Sequence, residues 1–151
     1  MLLLQPDLAR AEFAGETPFT PEDIIRFVLS NDSGEVFQTA KYHMTNFSLF
    51  VTKLFEANQG IVYTNKDGNI AGICLWAMVK EEDRDRVNKT RWLLPDNITD
   101  GENLYVGLCL VTFGCNILKI KTYLEGRYTG KVKEAYWFRD KWYRRRFDAN
   151  T

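Results

Sequence analysis

The stretch that most constrains this chain is residues 104–126. From Leu104 to Val111 the sequence is apolar except for Tyr105 and Gly107. Such a run is too short to span a membrane, and it lacks the polar alternation of a strand with one wet face. It reads as a strand covered on both faces. Thr112-Phe113-Gly114 closes it, Asn116 is a candidate N-cap, and Ile117, Leu118, Ile120 and Leu124 then recur at helical spacing around Lys119 and Lys121. Gly126 is the expected stop of that helix. A buried strand running into a helix calls for a sheet with helices on both faces. In such sheets ligands gather where strands meet the helix N-termini that follow them. Residues 112–116 are therefore the first place to look for a site.

Around this unit the chain divides into short, well-signalled pieces. Residues 1–19 carry little pattern and read as an arm, leaving 20–151 as a single domain, in keeping with a length of 151 residues. Thr20-Pro21-Glu22-Asp23 is a strong helix start, with a capping Thr, Pro at the first helical position and acids in the first turn. Residues 35–45 are ambiguous between a short helix and a loop. A clearer helix follows Asn46, with Phe47, Phe50, Val51 and Leu54 on one side and Gly60 as stop. A hairpin comes next: strands at 61–64 and 70–79 flank Asn65-Lys66-Asp67-Gly68-Asn69, and Gly72 marks a bulge or a close backbone approach. Residues 80–89 read as a solvated surface helix. After the central strand and helix, 132–138 and 142–147 read as two final strands. The fold class expected is α+β (α/β-like): a mixed, largely antiparallel central sheet with helices on both faces.

Charge is balanced overall but uneven along the chain. Residues 1–118 hold 10 Lys+Arg and 16 Asp+Glu, net −6, whereas residues 119–151 hold 10 and 4, net +6. The basic end thus has an internal partner in the acidic remainder, or an external one in phosphate or nucleic acid. Three cysteines without metal-type spacing, two of them in strand-like runs, point to a reducing, cytoplasmic setting, and one histidine with scattered cysteines gives no metal ligand set. Met1-Leu2-Leu3-Leu4 runs straight into Gln5-Pro6-Asp7 and does not read as a secretory signal, and no later stretch reaches membrane length.

Several pieces also fall in a familiar order. His43 precedes Ser48-Leu49-Phe50 at a helix start, and Gly72-Ile73-Cys74-Leu75-Trp76-Ala77 ends a hairpin with a Trp-Ala pair. Thr99-Asp100-Gly101-Glu102 forms an acidic loop, and Val111-Thr112-Phe113-Gly114 closes the apolar strand. Over residues 43–114 this resembles the toxin-activating lysine acyltransferases, which acylate an internal lysine of a pore-forming toxin, and more broadly the GNAT superfamily fold. The resemblance implies a GNAT-like sheet and an acyl-CoA or acyl-carrier thioester held by the backbone of Phe113, Gly114, Cys115 and Asn116. It also implies His43 as the base for an acceptor amine, a protein substrate as partner, and a general-acid tyrosine at Tyr123 or Tyr128. Two departures stand against it. Leu108 occupies the position, six before the closing glycine, where the activators carry the Asp that orients His. Gly114-Cys115-Asn116 supplies one glycine where the superfamily's pyrophosphate loop has a Gly-x-Gly/Ala.

These departures open a second reading of another class. Small GNAT-like proteins occur in phage virions, and a non-catalytic structural or assembly member would dock through the arm and the basic tail. That tail interleaves Lys131, Lys133, Trp137, Arg139, Trp142, Arg144, Arg145 and Arg146. Cations that meet phosphates beside aromatics that stack on bases suit single-stranded nucleic acid. The same pattern also fits two strands with one aromatic face and one basic face turned to the protein's own acidic half. His43 has the same two sides: it is the one side chain of suitable unperturbed pKa, or a surface residue beside Tyr42 and Met44. Cys115, at a helix start, lacks a partner base in the sequence for nucleophilic work.

Overall fold

The computed structural model describes residues 9–13, 17–31, 44–90, 98–111, 117–138 and 142–146. One six-stranded sheet runs through them in the order β1-β2-β3-β4-β5-β6. Its strands are β1 (Ala9–Glu12), β2 (Gly60–Thr64), β3 (Ile70–Val79), β4 (Asn103–Val111), β5 (Glu134–Phe138) and β6 (Trp142–Arg146). Every neighbouring pair is antiparallel except β4 and β5, which are parallel. The four helices are α1 (Pro21–Asn31), α2 (Met44–Glu56), α3 (Glu81–Thr90) and α4 (Ile117–Tyr128). The mixed α+β class expected from the sequence is present.

The sheet has two cores, as a strand apolar at every position requires. On one face Ile73, Leu75, Ala77 and Val79 of β3 pack against α1, α2 and Val87 of α3. On the other, Cys74, Trp76 and Met78 of the same strand pack under Ile120, Leu124 and Tyr128 of α4. The alternation of side chains along β3 thus feeds both layers.

Local signals explain most of the boundaries. Thr20 Oγ1 accepts from Asp23 N at 3.2 Å while Thr20 N donates to Asp23 Oδ2 at 2.9 Å, a reciprocal cap that starts α1. Asn65 Oδ1 accepts from the backbone N–H groups of Asp67 and Asn69, and Gly68 takes φ 83°, which closes the β2–β3 hairpin. A register shift places a bulge at Ala71, directly before Gly72.

Three sequence expectations differ from the structure. The arm read at 1–19 contains β1, which pairs Arg10 with Tyr63 at the sheet edge, and Phe13, which is buried against Phe55 with ring centroids 4.9 Å apart. Gly60 does not stop α2: the helix ends at Glu56, and Asn58 takes the left-handed conformation with φ 56°. Gly60 instead opens β2 where the Phe13 ring lies so close that a Cβ would stand 2.0 Å from its Cε2. Gly126 does not stop α4 either, because the helix runs to Tyr128 and the left-handed residue is Gly130, φ 85°. The ambiguous stretch 35–45 falls outside the described residues up to 43, and α2 begins at Met44.

A buried amide completes the sheet where β2 runs out. Past Leu75, which pairs with Gly60, β3 has no β2 partner. Gln59 fills the space: its backbone carbonyl accepts from Trp76 N at 3.1 Å, and its Nε2 donates to the carbonyls of Trp76 (3.0 Å) and Ile98 (2.7 Å). Ile98 O in turn accepts from Met78 N at 2.8 Å. Gly101 follows, packed so tightly on the Val79 backbone that a Cβ would lie 2.2 Å from its carbonyl carbon.

Candidate functional site

The strand that the sequence singles out lies inside the sheet, and its two neighbours leave it at different points. Toward β3 the pairing is continuous from Asn103 to Val111, with a register shift that makes Gly107 the extra residue between Leu75/Leu108 and Trp76/Val106. Toward β5 the parallel register runs from Asn103/Glu134 only to Val106/Trp137. β4 therefore continues beyond its shared ladder with β5, and the departure coincides with the bulge. β5 itself ends at Phe138, one residue past its last pair with β4. Val106 and Cys109 are half-buried side chains on the α4 face where this ladder ends.

The opposite, N-terminal end of the β4–β5 pair is closed by a polar cluster. Asn103 is fully buried and donates to Glu81 Oε2 at 2.9 Å, which holds the Glu81 carboxyl below its usual range. Arg84 sits 2.9 Å from Glu81 and 3.9 Å from Glu134. Tyr105 and Tyr136 stack with centroids 4.5 Å apart, and the Tyr105 hydroxyl donates to Asn88 Oδ1 at 2.7 Å. Burial pushes the Tyr105 phenol well above the ordinary tyrosine range. Asn103 Oδ1 is buried without a hydrogen-bond partner among the described residues; the other groups satisfy one another and close the sheet's end.

A second polar arrangement surrounds Tyr123 on α4. Its hydroxyl donates to Glu12 of β1 in a short hydrogen bond and accepts from Arg127 Nη1 at 3.0 Å. Arg127 also donates to the Asn58 carbonyl at 2.9 Å, lies 3.7 Å from Glu12, and stacks over the Trp76 and Tyr128 rings. The Arg10 guanidinium covers the Tyr123 ring at 4.4 Å. Desolvation and then the Glu12 bond push the Tyr123 phenol up to about 12. The Tyr123 bond, followed against burial by Asn58 and the two arginines, holds the Glu12 carboxyl below its usual range. The cluster borders an open groove of about 910 Å³ lined by Arg10, Tyr63, Lys119, Thr122 and Arg127 among others.

Of the residues singled out from the sequence, His43 and the backbone site Phe113, Gly114, Cys115 and Asn116 lie outside the described residues, as does Arg139. Tyr123 is placed, with partners from β1 and from its own helix, over the β1–β3 side of the sheet. Tyr128, the alternative tyrosine, is buried with its hydroxyl accepting from Trp76 Nε1 at 2.8 Å, a packing role. Lys131 and Lys133 are exposed in the connection to β5. Trp137 lies on β5, and Trp142, Arg144, Arg145 and Arg146 lie on β6, in register with Phe138, Tyr136, Ala135 and Glu134. Glu12, Asn58 and Gln59 were not singled out; each acts on partners distant in sequence, and no local pattern marks them.

Among the described residues, no three His, Cys, Asp or Glu side chains are grouped to hold a metal ion, and no helix is long and apolar enough to cross a membrane. In comparisons with known proteins, no family model matches this chain and no curated protein matches it.

Proposed function

We propose that this chain is a GNAT-like acyltransferase that takes an acyl group from an acyl-CoA or acyl-carrier thioester and delivers it to an amine. The observation that carries the reading is that the described β4–β5 ladder ends at Val106/Trp137, beside the Gly107 bulge, while β4 runs on to Val111. An extended, amide-bearing pantetheine arm suits the side of β4 past Val106, where no strand among the described residues pairs with it and backbone N–H and C=O groups call for partners. This stretch is the C-terminal end of β4, the end where α/β sheets take ligands, and α4 is the next element in the chain. The fit is to backbone geometry, and the phosphates of a CoA donor would fall to residues 113–116 and the start of α4.

In this reading the thioester supplies an activated carbonyl. The β4 edge orients it and excludes water from one side, and His43 takes the proton from the acceptor amine as it attacks. Leu108 stands where a carboxylate would orient that histidine, so His43 acts without a charged partner from β4.

A second reading is favoured by the far edge of the sheet. β6 is an edge strand carrying Arg144, Arg145 and Arg146 in succession. Consecutive cations on an edge discourage strand addition and fit a docking surface for an acidic neighbour or nucleic acid in a non-catalytic assembly protein.

Calorimetric titration with acetyl-CoA, a long-chain acyl-CoA and an acyl-carrier thioester separates the two. The acyltransferase reading expects micromolar binding of at least one donor, weakened by Gly114→Trp, and release of free thiol when an amine acceptor is added. Absence of binding to all three overturns it. Single-stranded nucleic acid binding that falls steeply with salt would then support the docking reading.

A further inference from the structure

Cys74 of β3 and Cys109 of β4 are direct partners across the antiparallel ladder, and both side chains belong to the layer under α4. Such partners have Cα atoms about 4.5–5.5 Å apart, inside the span of about 4.4–6.8 Å that a disulfide requires. Neither cysteine is in a disulfide. Their environments differ in a useful way: Cys74 is fully buried, whereas Cys109 is half-buried on the part of β4 past its last described pair with β5. The two thiols are hydrogen-bonded, and the bond from Cys74 holds the Cys109 thiol below its usual range despite burial. Cys109 is thus the less buried of the two, with Cys74 as its direct cross-strand neighbour.

We propose that Cys74 and Cys109 form an oxidisable dithiol that a hydroperoxide converts to an intramolecular disulfide between β3 and β4. The Cys109 thiolate attacks a peroxide oxygen, the O–O bond breaks, and the departing oxygen leaves as water or alcohol after taking a proton. Cys109 is then a sulfenic acid. The Cys74 sulfur attacks that sulfur, the S–O bond breaks, and a second oxygen leaves as water with the proton from Cys74. The two thiols lose two electrons and two protons, and the peroxide gains them. A dithiol reductant reverses the change by thiol–disulfide exchange. The order is set by access: Cys109 meets the oxidant and Cys74 resolves it before further oxygen is added. Because the bond would form two residues beyond Gly107, it would tie down the part of β4 that runs on without β5. The dithiol rests on this register and burial, and is independent of the acyltransferase reading.

The test is treatment of the folded wild-type chain with equimolar hydrogen peroxide, followed by intact mass and peptide mapping with and without dithiothreitol. The expected product is lighter by two hydrogens, maps to a Cys74–Cys109 cross-link, and returns to the starting mass on reduction. The Cys115→Ser variant, which removes the third thiol, is expected to give the same cross-link in the same yield. Oxygen retained on Cys109 as sulfinic or sulfonic acid without a cross-link overturns the proposal. So does a bridge that requires Cys115, or a folded chain that leaves both thiols unreacted while the urea-unfolded chain oxidises.

Discussion

Replacing Gln59 by Met tests whether the sheet depends on one side-chain amide. The substitution keeps length and apolar volume and removes both donors. The Trp76 and Ile98 carbonyls then lose the amide that reaches them at 3.0 and 2.7 Å, but Ile98 O keeps the Met78 N–H at 2.8 Å. Leaving a buried acceptor unsatisfied costs about 1–3 kcal/mol, which falls on Trp76 O, and the second bond at Ile98 O adds about 1 kcal/mol. The apolar surface gained by Met offsets part of this, and the net expectation is a loss of about 2 kcal/mol. That is a large fraction of the roughly 5–15 kcal/mol by which a domain is stable. Urea unfolding should show the midpoint falling with the slope unchanged, since the folded surface is the same.

Gln59→Glu sharpens the test because it swaps the donor for a carboxylate facing the same two carbonyls. Burial and the facing acceptors favour the neutral acid, so its folded pKa must lie above the unfolded value. The protonated form, which can donate once, is therefore fully stabilising below the unfolded pKa, and its contribution is lost as pH rises through the folded one. This variant should be closer to wild type near pH 4 than near pH 8. A Gln59→Met loss below about 0.5 kcal/mol, the range of an ordinary surface change, would refute the reasoning. A pH-independent Gln59→Glu variant would do the same.

Three further outcomes follow from the geometry. Gly60→Ala forces the Phe13 ring aside, since the new Cβ would meet Cε2 at 2.0 Å; a loss of about 2–3 kcal/mol is expected, and most of it should vanish in a Phe13→Ala background, measured as a double-mutant cycle. The lowered pKa of Glu12, caused first by the Tyr123 hydrogen bond, gives stability that is complete above the ordinary glutamate value and lost as pH falls through the depressed one. Acid unfolding of Glu12→Gln should lack that component. The Cys74–Cys109 disulfide would close a span of 35 positions, worth about 4 kcal/mol in chain entropy, so the peroxide-treated chain should unfold at higher urea than the reduced one, and equal midpoints would show strain cancelling the gain.

What was legible in the sequence was what short-range chemistry dictates. The apolar run at 104–111, the Thr20 cap, the Asn65–Asn69 turn and the helix from 117 all carry their signals within a few residues, and all are present. β1 escaped because Ala9-Arg10-Ala11-Glu12 holds no β-branched or aromatic residue, so only its pairing with β2 makes it a strand. The two glycine stops failed for a related reason. Gly60 is small because of Phe13, a tertiary neighbour, and Gly126 lies two residues before the end of a helix whose left-handed terminus came at Gly130. Tyr123 was legible as a residue on the helix, but its carboxylate partner lies 111 positions away. No spacing rule connects such a pair.

The placement of Tyr123 also bears on which side chain moves a proton if acyl transfer takes place. Its phenol already donates to Glu12 and accepts from Arg127, and it stays protonated up to about 12. Near neutrality it cannot serve as a base, and as an acid its proton is directed to Glu12. Its partners come from β1 and α4 and its ring neighbours Trp76 on β3, whereas the proposed donor site lies along β4 past its last described pair with β5. Tyr123→Phe should therefore leave acyl transfer within about 2-fold of wild type while costing about 1 kcal/mol of stability from the lost hydrogen bonds. His43→Ala should leave thioester binding intact and remove transfer by about 10²–10⁴-fold, the range of a general base. A Tyr123→Phe chain that unfolds normally, binds the thioester and transfers nothing would reverse the assignment and place the proton donor in the Glu12–Arg127 cluster.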